Sequence, residues 1–221
     1  MVSDVSASRK VIAEFVGTAL LLLTIIGSGI MATNISTDGG VRLMINVFCI
    51  ISILAVLITV FGPISGSHFN PVVTLVELWR RHISPARAGY YILAQMSGAI
   101  LGTITANFMF NKPLVFASHH DRSGMSKYVG EVIATAGLIA VIALLRKNQT
   151  LRFAPVVISA WIGAACFFTS STSFINPAVT VARSMSDTYA GIAPHSILPF
   201  IAAQLVGAVL GVGVSRFFNA R

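Results

Sequence analysis

Asn70-Pro71-Val72 and Asn176-Pro177-Ala178 are two Asn-Pro boxes, one in each half of the chain, both set in apolar sequence. Asn caps helix N-termini well and Pro is favoured at the first helical position, so each box starts a helix. A Val-Thr pair follows each, Val73-Thr74 and Val179-Thr180, and polar residues return within a few turns. The helices expected, about Pro71–Arg81 and Pro177–Asp187, are too short to cross a bilayer, which takes about 20 residues. Helices that begin inside a membrane imply a polar path there, because irregular backbone persists at that depth only where protein buries it or water reaches it. Two opposed helix N-termini would bring positive dipole ends and unsatisfied N–H groups to the membrane centre. With the Asn70 and Asn176 amides offering donors beside them, a neutral polar solute would be accepted and a cation or a relayed proton opposed. If the Asn residues only capped helices in a closed bundle, nothing would require two broken helices.

The elements around the boxes follow from composition. The 221 residues are 55% hydrophobic and 10% charged, with a mean hydropathy of +0.84. Soluble domains carry roughly 25% charged residues, so the chain is read as a multi-pass integral membrane protein. Six apolar stretches are long enough to span: about Val11–Ala32, Leu43–Phe61, Gly89–Phe110, Tyr128–Leu145, Phe153–Phe168 and Ile197–Phe218. The fifth is the shortest. The short helices fall between spans two and three and between spans five and six. No cleavable signal peptide is evident, since the first apolar run is long and lacks a small-residue cleavage site.

Net charge is +8, but the basic residues are scattered between apolar spans, a pattern that fits membrane topology and not nucleic acid. With an internal N-terminus, the cytoplasmic side carries Arg9, Lys10, Arg80, Arg81, Arg87, Arg146, Lys147, Arg152, Arg216 and Arg221. The other side carries only Arg42, Lys112, Arg122, Lys127 and Arg183. That excess places both termini in the cytoplasm.

The chain repeats itself. Glu14-Phe15-Val16-Gly17-Thr18 recurs loosely as Glu131-Val132-Ile133-Ala134-Thr135, offset by 117; the boxes are offset by 106; Ala94-Gln95-Met96-Ser97-Gly98-Ala99 recurs as Ala203-Gln204-Leu205-Val206-Gly207-Ala208, offset by 109. The half-repeats cover about 1–115 and 120–221 of one channel domain spanning 1–221. Three spans per half force the halves to insert in opposite senses, an inverted repeat about an axis in the membrane plane. The short helices then enter from opposite faces and meet tip to tip. Rows of small residues, Ala94, Gly98 and Gly102 in span three and Ala203, Gly207 and Gly211 in span six, would let backbones cross closely.

These features together resemble the aquaporin, or major intrinsic protein, family: the paired boxes, the Ser65-Gly66-Ser67-His68-Phe69-Asn70-Pro71 lead-in, Glu14 and Glu131, and Gln95 and Gln204. The resemblance covers nearly the whole chain. It implies an all-α, right-handed bundle of six transmembrane helices plus two half-helices, one pore per subunit, and a homotetramer in the plasma (inner) membrane. It also implies that Glu14 and Glu131 brace the box-bearing loops by accepting hydrogen bonds from their backbone. Alternatively each Glu sits in the first turn of a helix near the interface, Glu131 beside Lys127 in particular.

Departures from the family pattern bear on substrate. The first box reads Asn-Pro-Val. The second is followed by Val179 where most members have an Arg that narrows the outer constriction. Counting the other filter positions from the boxes gives Ile50 on span two, Ala164 on span five and Ser173 before the second box. That ring holds no charge and no aromatic group, so it should be wider and more apolar than a water-selective filter. It suits glycerol-like polyols and undissociated acids, with water, and is similar to bacterial members associated with arsenic-resistance operons. Arsenite at neutral pH is a trihydroxide of glycerol-like shape. A water-selective pore and a secondary transporter, which also uses inverted repeats and broken helices, are the alternatives; the lack of an ionisable group between the boxes argues against ion coupling.

Arg183 lies four residues beyond Val179 on the same helix face. It is either a cationic guard at the outer vestibule, drawing oxyacids to the mouth, or a solvated residue at a helix end paired with Asp187. His119-His120-Asp121 reads as an outer loop, since adjacent side chains diverge and no third metal ligand is evident. His68 is placed near the cytoplasmic pore half, His82 and His195 at interfaces. Cys49 and Cys166 lie in apolar runs and read as small buried hydrophobes. No nucleophile–base constellation or phosphate loop appears, so neither an enzyme nor a cofactor or metal is expected.

Overall fold

The structure is a computed structural model that describes residues 5–218; Arg221, counted among the cytoplasmic charges, lies outside them. The described residues form eight α-helices: α1 (Ala7–Ile35), α2 (Gly39–Ser65), α3 (Pro71–Trp79), α4 (Pro85–Met109), α5 (Met125–Lys147), α6 (Ala154–Phe168), α7 (Pro177–Arg183) and α8 (Ile197–Phe217). Six helical segments are long and apolar enough to cross a membrane, with α6 reaching the needed length through the 3₁₀ turn Leu151–Phe153 before it and α8 extended by the turn Pro194–Ser196. All six correspond to the expected spans. Most are longer, because the polar flanks continue the helices past the apolar runs. Large apolar side chains such as Phe48, Phe108 and Leu198 point outward, as a lipid-facing surface requires.

The half-helices are shorter than their sequence suggests. At α3, Arg81 turns to φ 60° and His82 N–H reaches back to the Glu77 carbonyl, ending the helix at Trp79. At α7, Ser184 and Met185 bond to the carbonyls three residues back, tightening the last turn so that helix stops at Arg183. At 1.5 Å per residue the two measure about 14 and 10 Å. End to end they fall short of one hydrocarbon core of about 30 Å.

The small-residue rows do what their spacing suggests. A Cβ built on Gly98 or Gly102 of α4 would stand 2.3 or 2.1 Å from the carbonyl oxygen of Phe15 or Ala19 in α1. On Gly207 and Gly211 of α8 it would stand 2.5 and 2.4 Å from those of Val132 and Ala136 in α5. Helix α1 therefore packs backbone to backbone on α4, and α5 on α8. The contact residues themselves obey the sequence repeat: Phe15 and Ala19 correspond to Val132 and Ala136 at the offset of 117.

Each half-helix packs into the other half of the chain. Val72, Val73 and Val76 of α3 join a buried cluster with Ala134, Leu138, Ala165 and Ala208, from α5, α6 and α8. Ala178, Val179 and Ala182 of α7 join one with Leu21, Leu22, Leu54 and Ala99, from α1, α2 and α4.

Candidate functional site

The loops before the boxes hold their shape against strain. Ser67 and Phe69 before the first, and Ser173 and Ile175 before the second, have φ between 47° and 56°, a region that costs non-glycine residues energy and persists only where surroundings impose it. The surroundings are the two glutamates. Buried Glu14 accepts from Ser65 Oγ (2.6 Å), His68 N (3.0 Å), Phe69 N (2.7 Å) and Gln95 Nε2 (2.8 Å). Buried Glu131 accepts from Phe174 N (2.8 Å), Ile175 N (2.9 Å) and Gln204 Nε2 (2.8 Å). Charge-assisted bonds to backbone N–H groups are the strong kind, and they satisfy carboxylates that would otherwise be costly to bury. Neither Glu sits at an interface.

The Val-Thr pairs close the same network. Thr74 Oγ1 donates to the Asn70 carbonyl and accepts from Gln95 Nε2; Thr180 Oγ1 donates to the Asn176 carbonyl and accepts from Gln204 Nε2. Asn70 Oδ1 caps Val72 N (2.9 Å), and Asn176 Oδ1 caps Ala178 N (2.9 Å) and Val179 N (3.3 Å). Each Asn amide then reaches across the repeat. Asn70 Nδ2 donates to the Ile175 carbonyl and Asn176 Nδ2 to the Phe69 carbonyl, both at 2.8 Å. The half-helices therefore meet tip to tip, joined by a reciprocal pair of bonds, and each Nδ2 keeps a second N–H.

Asn70 and Asn176 both line a single cavity of about 650 Å³. One wall is apolar, including Leu21, Ile25, Ile50, Leu54, Leu138 and Ile158; the other is formed by the loops, with Gly66, Ser67 and His68 on one side of the boxes and Thr172, Ser173 and Phe174 on the other. Pro71, Val72, Pro177 and Ala178 are buried behind the Asn side chains and pack the half-helices in place. Of the expected filter residues, Ile50, Ser173 and Val179 line the cavity. The Ser173 hydroxyl is buried with no protein partner among the described residues.

Ala164 does not line the cavity. It is exposed on the outer face of α6, while Ile162 and Cys166, one turn apart, face the lumen. Residues four apart share a helix face and the one midway between them points away, so the count along span five was two residues out of register. Arg183 also differs from one of its two readings. It is not a solvated residue paired with Asp187. It is 6% exposed and lines the lumen, its Nε donates to the Ala190 carbonyl, and its guanidinium lies 3.5 Å from the Phe174 ring centroid. Asp187 bonds instead to His119 Nδ1 at 2.8 Å and His119 N at 2.9 Å.

Several lumen residues escape the sequence reading, among them His120, Arg146, Arg152, Arg122 and Glu77. Arg122, counted only as an outer-loop charge, lines the cavity, donates from Nε to the Gly191 carbonyl (2.8 Å), and holds its Cζ 4.9 Å from the Phe174 centroid. Burial lowers its pKa from the ordinary arginine value. Glu77 lines the opposite end, buried, with Arg146 Nη1 at 2.8 Å and His82 Nδ1 at 2.9 Å from its Oε2. The offset of 106 pairs Glu77 with Arg183, so the repeat held a signal for it; nothing local marked Arg122. The loops beside Arg122 are tied down: Asp121 accepts from Ser123 N (2.8 Å) and pairs with His195 Nε2 (3.0 Å), and bonds from Ser123, His195 and Ser196 hold its carboxyl far below the usual carboxylate range.

Six spanning helices, two half-helices joined at their N-termini, and a lumen passing that junction define a membrane channel built on an inverted repeat. Residues 1–173 match the model of the major intrinsic protein family, and the chain belongs to that family. It is 39% identical to the aquaglyceroporin AqpS of Rhizobium meliloti (strain 1021) over 95% of this chain and 90% of that one. It is 30% identical to the aquaporin NIP1-1 of Zea mays over 99% of this chain and 79% of that one. In fold it is similar to the aquaglyceroporin from Plasmodium falciparum, with a TM-score of 0.73 at 19% identity, covering 97% of this chain and 96% of that one.

Proposed function

We propose that the cavity is a passive conduit for small uncharged solutes, namely glycerol-like polyols, undissociated metalloid acids such as arsenite, and water. The observation that carries this reading is the outer part of the lumen. Ile50, Val179 and Ser173 face it where a charged ring would stand, and the cation is displaced one turn outward to Arg183. An apolar wall opposite a polar loop suits a solute with hydroxyls along one edge and carbon along the other. The similarity to the aquaglyceroporin AqpS supports the wider substrate range over a strictly water-selective pore. Asn70 and Asn176 would act as donors at the midpoint, with Glu14 and Glu131 holding their loops, and no catalysis is involved. The protein would sit in the plasma (inner) membrane as a homotetramer, as the family resemblance implies, with both termini cytoplasmic, as the distribution of its basic residues supports.

Val179→Arg should suppress glycerol and arsenite flux while leaving water flux largely intact, measured by stopped-flow light scattering on proteoliposomes. Equal flux of both solutes before and after would remove Val179 from the constriction. Flux should also rise linearly with the gradient and ignore protonophores; sensitivity to them would favour a coupled transporter.

A further inference from the structure

The guanidinium groups of Arg122 and Arg183 stand around one ring at the outer end of the lumen. They are anchored alike: Arg122 Nε donates to the carbonyl of Gly191 and Arg183 Nε to that of the preceding residue, Ala190. Their Cζ atoms lie 4.9 and 3.5 Å from the Phe174 centroid. Holding a guanidinium by Nε and by one face leaves its Nη edge as the free donor fork. Beyond the Nε bonds, only a long contact from Arg122 Nη1 to Thr172 Oγ1 (3.4 Å) engages either fork among the described residues.

Neither group has a carboxylate within ion-pair distance among the described residues. Asp121 is engaged by Ser123, His195 and Ser196, Asp187 by His119, and Glu131 spends its oxygens on Phe174 N, Ile175 N and Gln204. At the inner end a carboxylate does reach the lumen: Arg146 is paired with Glu77, while Arg152, also lining the cavity, lies over the ring of its own neighbour Phe153. Two like charges held together out of bulk water, without a counter-charge, are costly unless a ligand completes them. Guanidinium forks match planar oxygen pairs and bind them bidentately.

We infer that Arg122 and Arg183 form an outer-vestibule binding site for small planar oxyanions, of the class of nitrate and the simple carboxylates, arriving from the side opposite Glu77. Occupancy sits in the path of any solute entering from that end, so the site also sets an anion-sensitive entry step. That second consequence rests on the conduit reading; the binding does not.

Two measurements keep them apart. Calorimetric titration of purified protein in detergent with potassium nitrate, at constant ionic strength set with potassium chloride, should show saturable binding. Arg122→Gln should weaken it by about tenfold, the scale of one lost charge-assisted contact, and Arg183→Lys, which keeps the charge and loses the fork, by a similar factor. Lys112→Gln, an exposed cation off the lumen, should bind as the unmodified protein does. Nitrate that binds no better than chloride, or binding unchanged in Arg122→Gln, overturns the site; that variant lies in a loop and suffices if Arg183→Lys fails to fold. In proteoliposomes, nitrate on the Arg122 side should slow glycerol entry, and nitrate confined to the Glu77 side should not. Binding without any glycerol flux in the unmodified protein would sink the conduit and leave the site standing.

Discussion

The two boxes and the two mouths of this channel diverge very differently. At the boxes the halves are nearly interchangeable: Glu14 and Glu131, Gln95 and Gln204, Thr74 and Thr180, and the crossed Asn amides make the same bonds at almost the same lengths. Even Val73 and Val179, the residues three past each Asn, both line the lumen. One turn further out the equivalence ends. Glu77 and Arg183 occupy corresponding positions, each about 10 Å from its box, with opposite charge. The aromatic pairs behind them follow suit: His68 meets Tyr91 edge-on at 5.3 Å, and the corresponding Phe174 meets Phe200 at 5.2 Å. A polar ring stands on the Glu77 side and an apolar one on the Arg183 side. The geometry of the junction must be shared because each half completes the other, whereas nothing obliges the ends to match.

That contrast can be broken most forcefully at the braces. Glu14→Ala and Glu131→Ala each remove the acceptor for three or four buried donors, at about 1–3 kcal/mol apiece, and release strained loops. Both should abolish folded protein in the membrane, measured as monodisperse yield after extraction. If one variant folds normally, the two halves of the junction are not equivalent.

A smaller effect is expected at the Glu77 mouth. Glu77→Gln takes from Arg146 its carboxylate partner and leaves it the contact with His82 Nδ1, and because that guanidinium is 41% exposed the cost should be about 1–2 kcal/mol, below that of a fully buried pair. Adding Arg146→Gln should recover part of it in a double-mutant cycle of thermal stability. Strict additivity would mean the pair is not coupled, and the charge contrast between the ends would lose its inner half.

The smallest effect concerns the loops at the Arg183 mouth. Hydrogen bonds from Ser123, then His195 and Ser196, depress the Asp121 pKa. A depressed carboxyl contributes above its unfolded pKa and loses that contribution as pH falls through the folded value. The tether from Asp121 to residues 195–196 should therefore survive at pH 4–5 and fail only in stronger acid. An NMR titration placing the Asp121 midpoint at or above the ordinary 3.8 would contradict it.

The junction was legible in the sequence because local rules govern it. Asn and Pro at a helix start, a repeat at constant offset, and glycines four apart each carry a geometric consequence that does not depend on distant residues. The register of α6 was not legible. Gly163, Ala164, Ala165 and Cys166 are all small, and only packing decides that Cys166 faces the lumen. Arg122 was invisible for a different reason: it sits in a loop, and only the fold brings it to Phe174, 52 positions along the chain. Arg183 was placed on the correct face, but its partner turned out to be an aromatic ring where a nearby carboxylate was the simpler expectation.

Because α3 fills the apolar core of the second half and α7 that of the first, neither half can finish folding with its own residues. During synthesis the first three spans must wait, with a stub of helix and two strained loop residues unsupported, until the last third of the chain arrives. Quality control in the membrane would meet that waiting intermediate in every copy made, and a nonsense mutation anywhere before α7 should leave no partial barrier or leak, only a substrate for proteolysis.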